Sequence, residues 1–311
     1  MPSTCSERTG VTALLAALAW LFVGCTYAPA PSSARPPLPT ALAGSGPLPA
    51  AELRELHEVG KGCQRGVLVA GPESVAFELR TTPASPPRPF VLLVPILAGG
   101  KDLMDAVASA LVTRGFDVGF CDRVGGALRP GQRGADLDEL FRRTVLHQRL
   151  LLRWHRQRSA TPVPHFVLGL SLGGMVSTVV GALEPDLDGV AICLSGGDLA
   201  DVVATSSEVR VANWRAWRHE NDGVGDDHLR WELATSLQYE PLRYAAAIAT
   251  ERVLLVTAQF DTVVRRRNQD VLWEALGRPA RLQVPLGHYS AALWFSGILD
   301  SVAEHFRKRM A

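Results

Sequence analysis

The sequence predicts an α/β domain on a mostly parallel central sheet of about eight strands, with helices on both faces and a small helical cap insertion. Three observations lead there. Runs such as Phe90–Val94, His165–Leu170 and Arg252–Ala258 are short and almost wholly apolar, as strands buried on both faces must be. Stretches with helical spacing separate them. The chain has 311 residues, 47% of them apolar, enough for one large core. A formal net charge of +1 gives no basic surface for nucleic acid and no acidic surface for a cationic partner.

The N-terminus departs from the globular pattern. Val11–Gly24 is free of charge and ends Phe22-Val23-Gly24-Cys25. It is short for a membrane span, which needs about 20 apolar residues, and suits a signal-peptide core. Gly24-Cys25 resembles the bacterial lipoprotein cleavage box, in which the cysteine receives the lipid. That resemblance implies a signal peptide over residues 1–25 and a chain lipid-anchored through Cys25 to a bacterial envelope membrane. A secreted or periplasmic chain is the alternative. Residues 26–50 repeat Pro, Ala and Ser without apolar period and read as a semi-extended tether. The remainder, 51–311, is the domain. It keeps Cys63, Cys121 and Cys193, an odd number that argues against a disulfide framework, and the last two fall in buried strands.

Ala51–Val59 has Leu53, Leu56 and Val59 at helical spacing and predicts a helix on the domain edge. Gly66–Ala70 and Ser74–Arg80 flank Gly71-Pro72 as a hairpin. After the proline-rich loop 82–89 comes the strand Phe90–Val94, capped by Pro95. A helix over Asp102–Arg114, a strand over Phe116–Cys121 and a long helix over Ala135–Arg158 follow, the arginines of the last forming a solvated face. The strand His165–Leu170, a helix over Leu172–Leu183 and a strand over Gly189–Leu194 come next. About 197–249 the rhythm breaks. This cap holds Trp214, Trp217, Trp231, Tyr239 and Tyr244, most of them read as packing it onto the body with the lining of a substrate cavity as the alternative, and the polar patch His219–His228, read as a solvated turn and not a metal site. Regular order resumes with Arg252–Ala258, a helix over Arg267–Leu276, a strand over Arg281–Val284 and a closing helix over Ala291–Arg309.

The chemistry gathers at strand ends. Val167-Leu168-Gly169-Leu170-Ser171-Leu172-Gly173-Gly174 joins a strand to a helix through Gly-x-Ser-x-Gly, which lifts a serine hydroxyl on a sharp turn. Asp261 follows the penultimate strand and His288 the last. In an open parallel sheet the loops at the carboxyl ends converge on one crevice. This chain order of Ser, Asp and His, with the elbow serine, resembles the α/β-hydrolase superfamily from about Gly66 to the C-terminus. The resemblance implies that Ser171 attacks a carbonyl carbon, His288 moves its proton and Asp261 orients the imidazole. It implies an oxyanion site made by the backbone N–H of Leu172 and a second N–H after Val94, with Leu97 the best register and Ile96 next. Many members have His-Gly where this chain has Pro95-Ile96. Asp198 is a rival acid, disfavoured by chain order. His165 starts a strand on the opposite rim, and Ser195 lacks the elbow spacing.

The expected activity is hydrolysis of carboxylic esters of a small molecule or lipid, through an acyl-enzyme on Ser171 and with no cofactor or metal. A peptidase, amidase or acyltransferase of the same fold is a second reading. A catalytically silent binding domain is a third.

Overall fold

The computed structural model describes residues 25–27, 42, 44–82, 87–96, 101–126, 128–159 and 161–310. Val11–Gly24 and most of the 26–50 stretch lie outside these. In chain order the strands and helices are β1 (Cys25–Tyr27), β2 (Glu52–Gly60), β3 (Cys63–Ala70), β4 (Glu73–Arg80), β5 (Phe90–Val94), α1 (Lys101–Thr113), β6 (Asp117–Cys121), α2 (Gly134–Arg158), β7 (His165–Leu170), α3 (Leu172–Leu183) and β8 (Gly189–Cys193). The cap follows as α4 (Leu199–Thr205), α5 (Val209–Asp222), α6 (Asp226–Ser236) and α7 (Pro241–Tyr244). The fold closes with β9 (Val253–Ala258), α8 (Arg266–Ala275), β10 (Ala280–Val284) and α9 (Phe295–Arg307).

All ten strands form one sheet in the order β1-β10-β9-β8-β7-β5-β6-β4-β3-β2. From β10 across to β6 every pairing is parallel, whereas β4, β3 and β2 join antiparallel on one side and β1 on the other. Alternate side chains of a strand point to opposite faces. Accordingly Phe90, Leu92 and Val94 of β5 enter the core shared with α2, α3, α8 and the cap. Val91 and Leu93 enter the core under α1 and α9. Both faces are covered, which is why β5, β7, β8 and β9 are buried at every position.

The two strands beyond the expected eight are β1 and β2. Ala51–Val59, expected as a helix, is the strand β2. Its Leu53 and Val59 are exposed and only Leu56 is half-buried, so there is no apolar face for a helix to bury. What holds it is main-chain pairing along the open edge of β3, from Glu52↔Val69 to Gly60↔Cys63. The turn between them needs glycine. Gly62 has φ +68, and a Cβ there would sit 2.3 Å from the Thr81 carbonyl oxygen.

The proline-rich stretch also touches the body. Cys25–Tyr27 pairs antiparallel with β10. Leu42 and Leu48 pack on the core, and the Gly44 carbonyl accepts a 2.5 Å hydrogen bond from Arg149. This last contact corrects the expectation of a solvated arginine face on α2. Arg149 is buried and donates to Glu184 at 2.8 Å, with Arg156 at 3.2 Å on the other carboxylate oxygen. Arg143 pairs with Glu73 on β4, which also bonds the buried His147 at 2.9 Å. A buried guanidinium is tolerable only with such partners.

Candidate active site

The site is set by three strand ends on the carboxyl rim of the sheet. β7 stops at Leu170, and Ser171 turns the chain into α3 with φ 53 and ψ −122, a region that side-chain-bearing residues rarely occupy. The turn is held from both sides. The Ser171 N–H donates to the Cys193 carbonyl of β8 at 2.8 Å, and the Ser171 carbonyl accepts from the Gly174 N–H at 2.9 Å. Its glycines answer to space. A Cβ on Gly169 would lie 2.0 Å from the Gly173 carbonyl oxygen, and one on Gly173 would lie 2.4 Å from that of Val94. Strand, helix and the end of β5 meet backbone to backbone, leaving the serine hydroxyl outward.

Asp261 and His288 reach the same point from β9 and β10. The loops that carry them are tied together, Gln259 N–H to the Val284 carbonyl and Phe260 N–H to the Leu286 carbonyl, each at 2.9 Å. Asp261 is buried. Its Oδ1 accepts the N–H groups of Val263 and Val264, both at 2.8 Å, which fixes the carboxylate plane. Its Oδ2 lies 2.8 Å from His288 Nδ1, and His288 Nε2 lies 3.0 Å from Ser171 Oγ. An ionised carboxylate only accepts, so Nδ1 carries the ring proton and Nε2 is left to accept from the hydroxyl. The structure thus brings all three expected side chains into one hydrogen-bonded line. Chemically, such a line can serve as nucleophile, base and orienting acid.

Comparison with known proteins follows from this geometry. The family model described as serine aminopeptidase, S33, matches residues 85–233, which include Ser171 and stop short of Asp261 and His288. Among solved structures, the chain superposes on acetyl xylan esterase 1 from Thermoanaerobacterium sp. JW/SL YS485 with a TM-score of 0.56 at 19% identity, covering 80% of this chain and 87% of that one. The chain has the α/β-hydrolase fold. The Pyrococcus furiosus esterase Pf2001 gives a TM-score of 0.56 at 12% identity, over 89% of this chain and all of that one. The 2,6-dihydroxy-pseudo-oxynicotine hydrolase gives 0.58 at 16%, over 78% of this chain and 66% of that one. At these identities the likeness is one of fold. Comparison with curated proteins gives no match.

In this fold the Ser171–His288–Asp261 line stands at the wall of a cavity of about 370 Å³, within the range of small-molecule sites. Of its 25 lining residues, 20 are apolar; Ser171, His288, Tyr289, Ser206 and Glu208 are the others. Glu208 is buried and its Oε2 accepts the Val211 N–H at 2.9 Å, capping α5. The aliphatic walls come from α2, through Leu137, Leu140 and Phe141, and from the cap, through Val202, Val203 and Val211. In the sequence Leu137, Leu140 and Phe141 mark only a helical period, because lining and core residues share the same spacing. The aromatic residues of the cap do not line the cavity: Trp214, Tyr239 and Tyr244 are buried in packing.

Leu172 is the first residue of α3 and lines the cavity, so its free N–H lies at the positive end of the helix. Ile96 lines the cavity from the β5 side. Leu97, the preferred second donor, lies outside the described residues. The rivals are occupied elsewhere. Asp198 accepts the Asp201 N–H as the cap of α4. His165 bonds His155 at 3.0 Å, and its Nδ1 lies 2.7 Å from the Val163 carbonyl. Ser195 is fully buried against Gly174. Cys63, Cys121 and Cys193 are free thiols. Among the described residues no group of three His, Cys, Asp or Glu side chains could hold a metal ion.

Proposed function

We propose that the protein is a serine hydrolase that cleaves carboxylic esters with an apolar acyl group. The single observation that carries this is the Ser171–His288–Asp261 hydrogen-bonded line opening into an aliphatic cavity. Ser171 Oγ attacks the ester carbonyl carbon as its proton passes to His288 Nε2. The imidazolium is stabilised by Asp261, and the carbonyl oxygen takes up the negative charge beside the Leu172 N–H. Collapse expels the alcohol, protonated by His288. Water, deprotonated by the same ring, then attacks the acyl-enzyme and releases the acid and the free serine. The apolar walls favour a hydrocarbon acyl chain by about 0.8 kcal/mol per buried methylene. Cys25 serves as the lipid attachment site that holds the domain at an envelope membrane.

A fluorophosphonate that phosphonylates activated serines tests the core of this reading. The intact chain should be labelled and Ser171→Ala should not be. Equal labelling of both would end it.

A second reading, an aminopeptidase, is favoured by the description of the matched family and by Glu208, a carboxylate in the cavity wall that could face a substrate ammonium. Aminoacyl amides turned over faster than matched acyl esters, with the preference lost in Glu208→Gln, would select it.

A further inference from the structure

Ten large apolar side chains stand out as exposed among the described residues, and five of them line one cavity or adjoin its lining and the His288 loop. Leu103, at the start of α1, and Tyr289, next to His288, themselves line the cavity, yet are 38% and 63% exposed. Leu293, 83% exposed, follows the lining residue Ala292, and Val209, 66% exposed, follows the lining residue Glu208. Phe260, 63% exposed, hydrogen-bonds through its N–H to Leu286 on the loop that carries His288. They come from four separate parts of the chain: the start of α1, the cap, the β9 loop and the segment after β10. Scattered single apolar residues are ordinary on a surface; a group gathered about one cavity is not.

The sheet register adds an independent observation. β1 runs antiparallel to β10 with Cys25 opposite Gln283 and Tyr27 opposite Arg281. β10 ends at Val284 on the rim that carries His288. Cys25 therefore stands at the same rim as the cavity mouth.

We propose that this rim is a lipid-docking surface: Leu103, Val209, Phe260, Tyr289 and Leu293 seat the mouth on a bilayer, so that an apolar ester passes from the lipid into the cavity without crossing water. The occupant is a lipid surface because two features agree. The apolar side chains are continuous with an apolar cavity. Cys25, the proposed lipid attachment site, is paired at the same side of the sheet. The proposal rests on the ester-hydrolase reading for its substrate, but the docking itself is measured separately.

The test compares the full chain with the double variant Val209→Asp/Leu293→Asp, whose residues lie outside the cavity lining and whose exposure makes the change harmless to folding. One assay uses a short, soluble nitrophenyl ester. The other uses a dodecanoyl ester dissolved in phosphatidylcholine vesicles. The expected result is a rate on the vesicle-borne ester at least tenfold lower in the variant, with the soluble rate unchanged and the conservative pair Val209→Ile/Leu293→Met retaining both. An unchanged ratio of the two rates would overturn the docking proposal while leaving the hydrolase reading intact. A chain inactive on both esters would instead defeat the hydrolase reading. A lipid-free chain that sediments as a dimer, becomes monomeric in the double variant and keeps its vesicle rate would assign the rim to a second copy and overturn the proposal.

Discussion

Gly173→Ala isolates the contact on which the elbow depends. An alanine methyl at 173 would sit 2.4 Å from the Val94 carbonyl oxygen and 3.0 Å from that of Pro95. Both neighbours are backbone, so no rotamer can move aside. Relief needs α3 and the end of β5 to part by roughly 1 Å, and a misplacement of that size at a reacting centre costs about 10²-fold in rate. That is about 2.7 kcal/mol of barrier, similar to removing one oxyanion donor. The adjacent Gly174→Ala is the control. Its methyl would meet the side chain of Ser195, 2.6 Å from Cβ, on the side away from β5. It should lower stability by about 1–3 kcal/mol through overpacking and leave turnover within severalfold. The assay is kcat and KM on a soluble ester, with thermal unfolding beside it. Gly173→Ala should lose about 100-fold in kcat with KM little changed. Turnover within threefold of the parent, or an equal loss in Gly174→Ala, would refute the argument that the β5–α3 approach positions the oxyanion donors.

Other expectations follow from the same geometry. Asp261→Asn should lower kcat about 10³–10⁴-fold without unfolding the chain, since the amide still accepts from Val263 and Val264 but no longer holds the ring tautomer; a loss below tenfold would remove Asp261 from the line. His155, stacked on Phe90, and His165, tilted against the same ring, are held neutral by burial, with pKa values pushed down to about 3 and about 4. Their protons bind the unfolded chain first, so stability is complete above about pH 6.5 and falls as the pH drops towards 4, by up to about 1.4 kcal/mol per pH unit for each ring. His155→Leu should flatten the fall in melting temperature between pH 6.5 and 5; an unchanged slope would exclude this pair as its source. Arg149→Met leaves Glu184 with Arg156 and the more distant Arg153 and frees the Gly44 carbonyl, which should cost about 3 kcal/mol and open residues 44–50 to protease. Unfolding and cleavage rates equal to the parent's would contradict that.

What could be read from the sequence divides along a physical line. The strands from β5 to β10 announce themselves because burial on both faces leaves them mostly apolar, and the elbow because its glycines are demanded by backbone contacts. Asp261 and His288 were legible only through position, as the polar residues just past two such strands. β2 was not legible: Leu53, Leu56 and Val59 happen to fall at helical spacing, while the determinant is the hydrogen-bonding edge of β3, which no local pattern reveals. Arg149 was misread for the converse reason, since its partner Glu184 lies 35 residues away. The cavity walls were hidden because Leu137, Leu140 and Phe141 look alike whether a neighbouring side chain or empty space faces them.

Ser171 and His288 are 117 residues apart and meet because β7 and β10 belong to one sheet. His288 lies just past β10, so the line closes only where β10 is paired with β9. A chain that loses that pairing leaves the Ser171 hydroxyl without its imidazole partner. One strand pairing near the sheet edge therefore decides whether the three side chains meet.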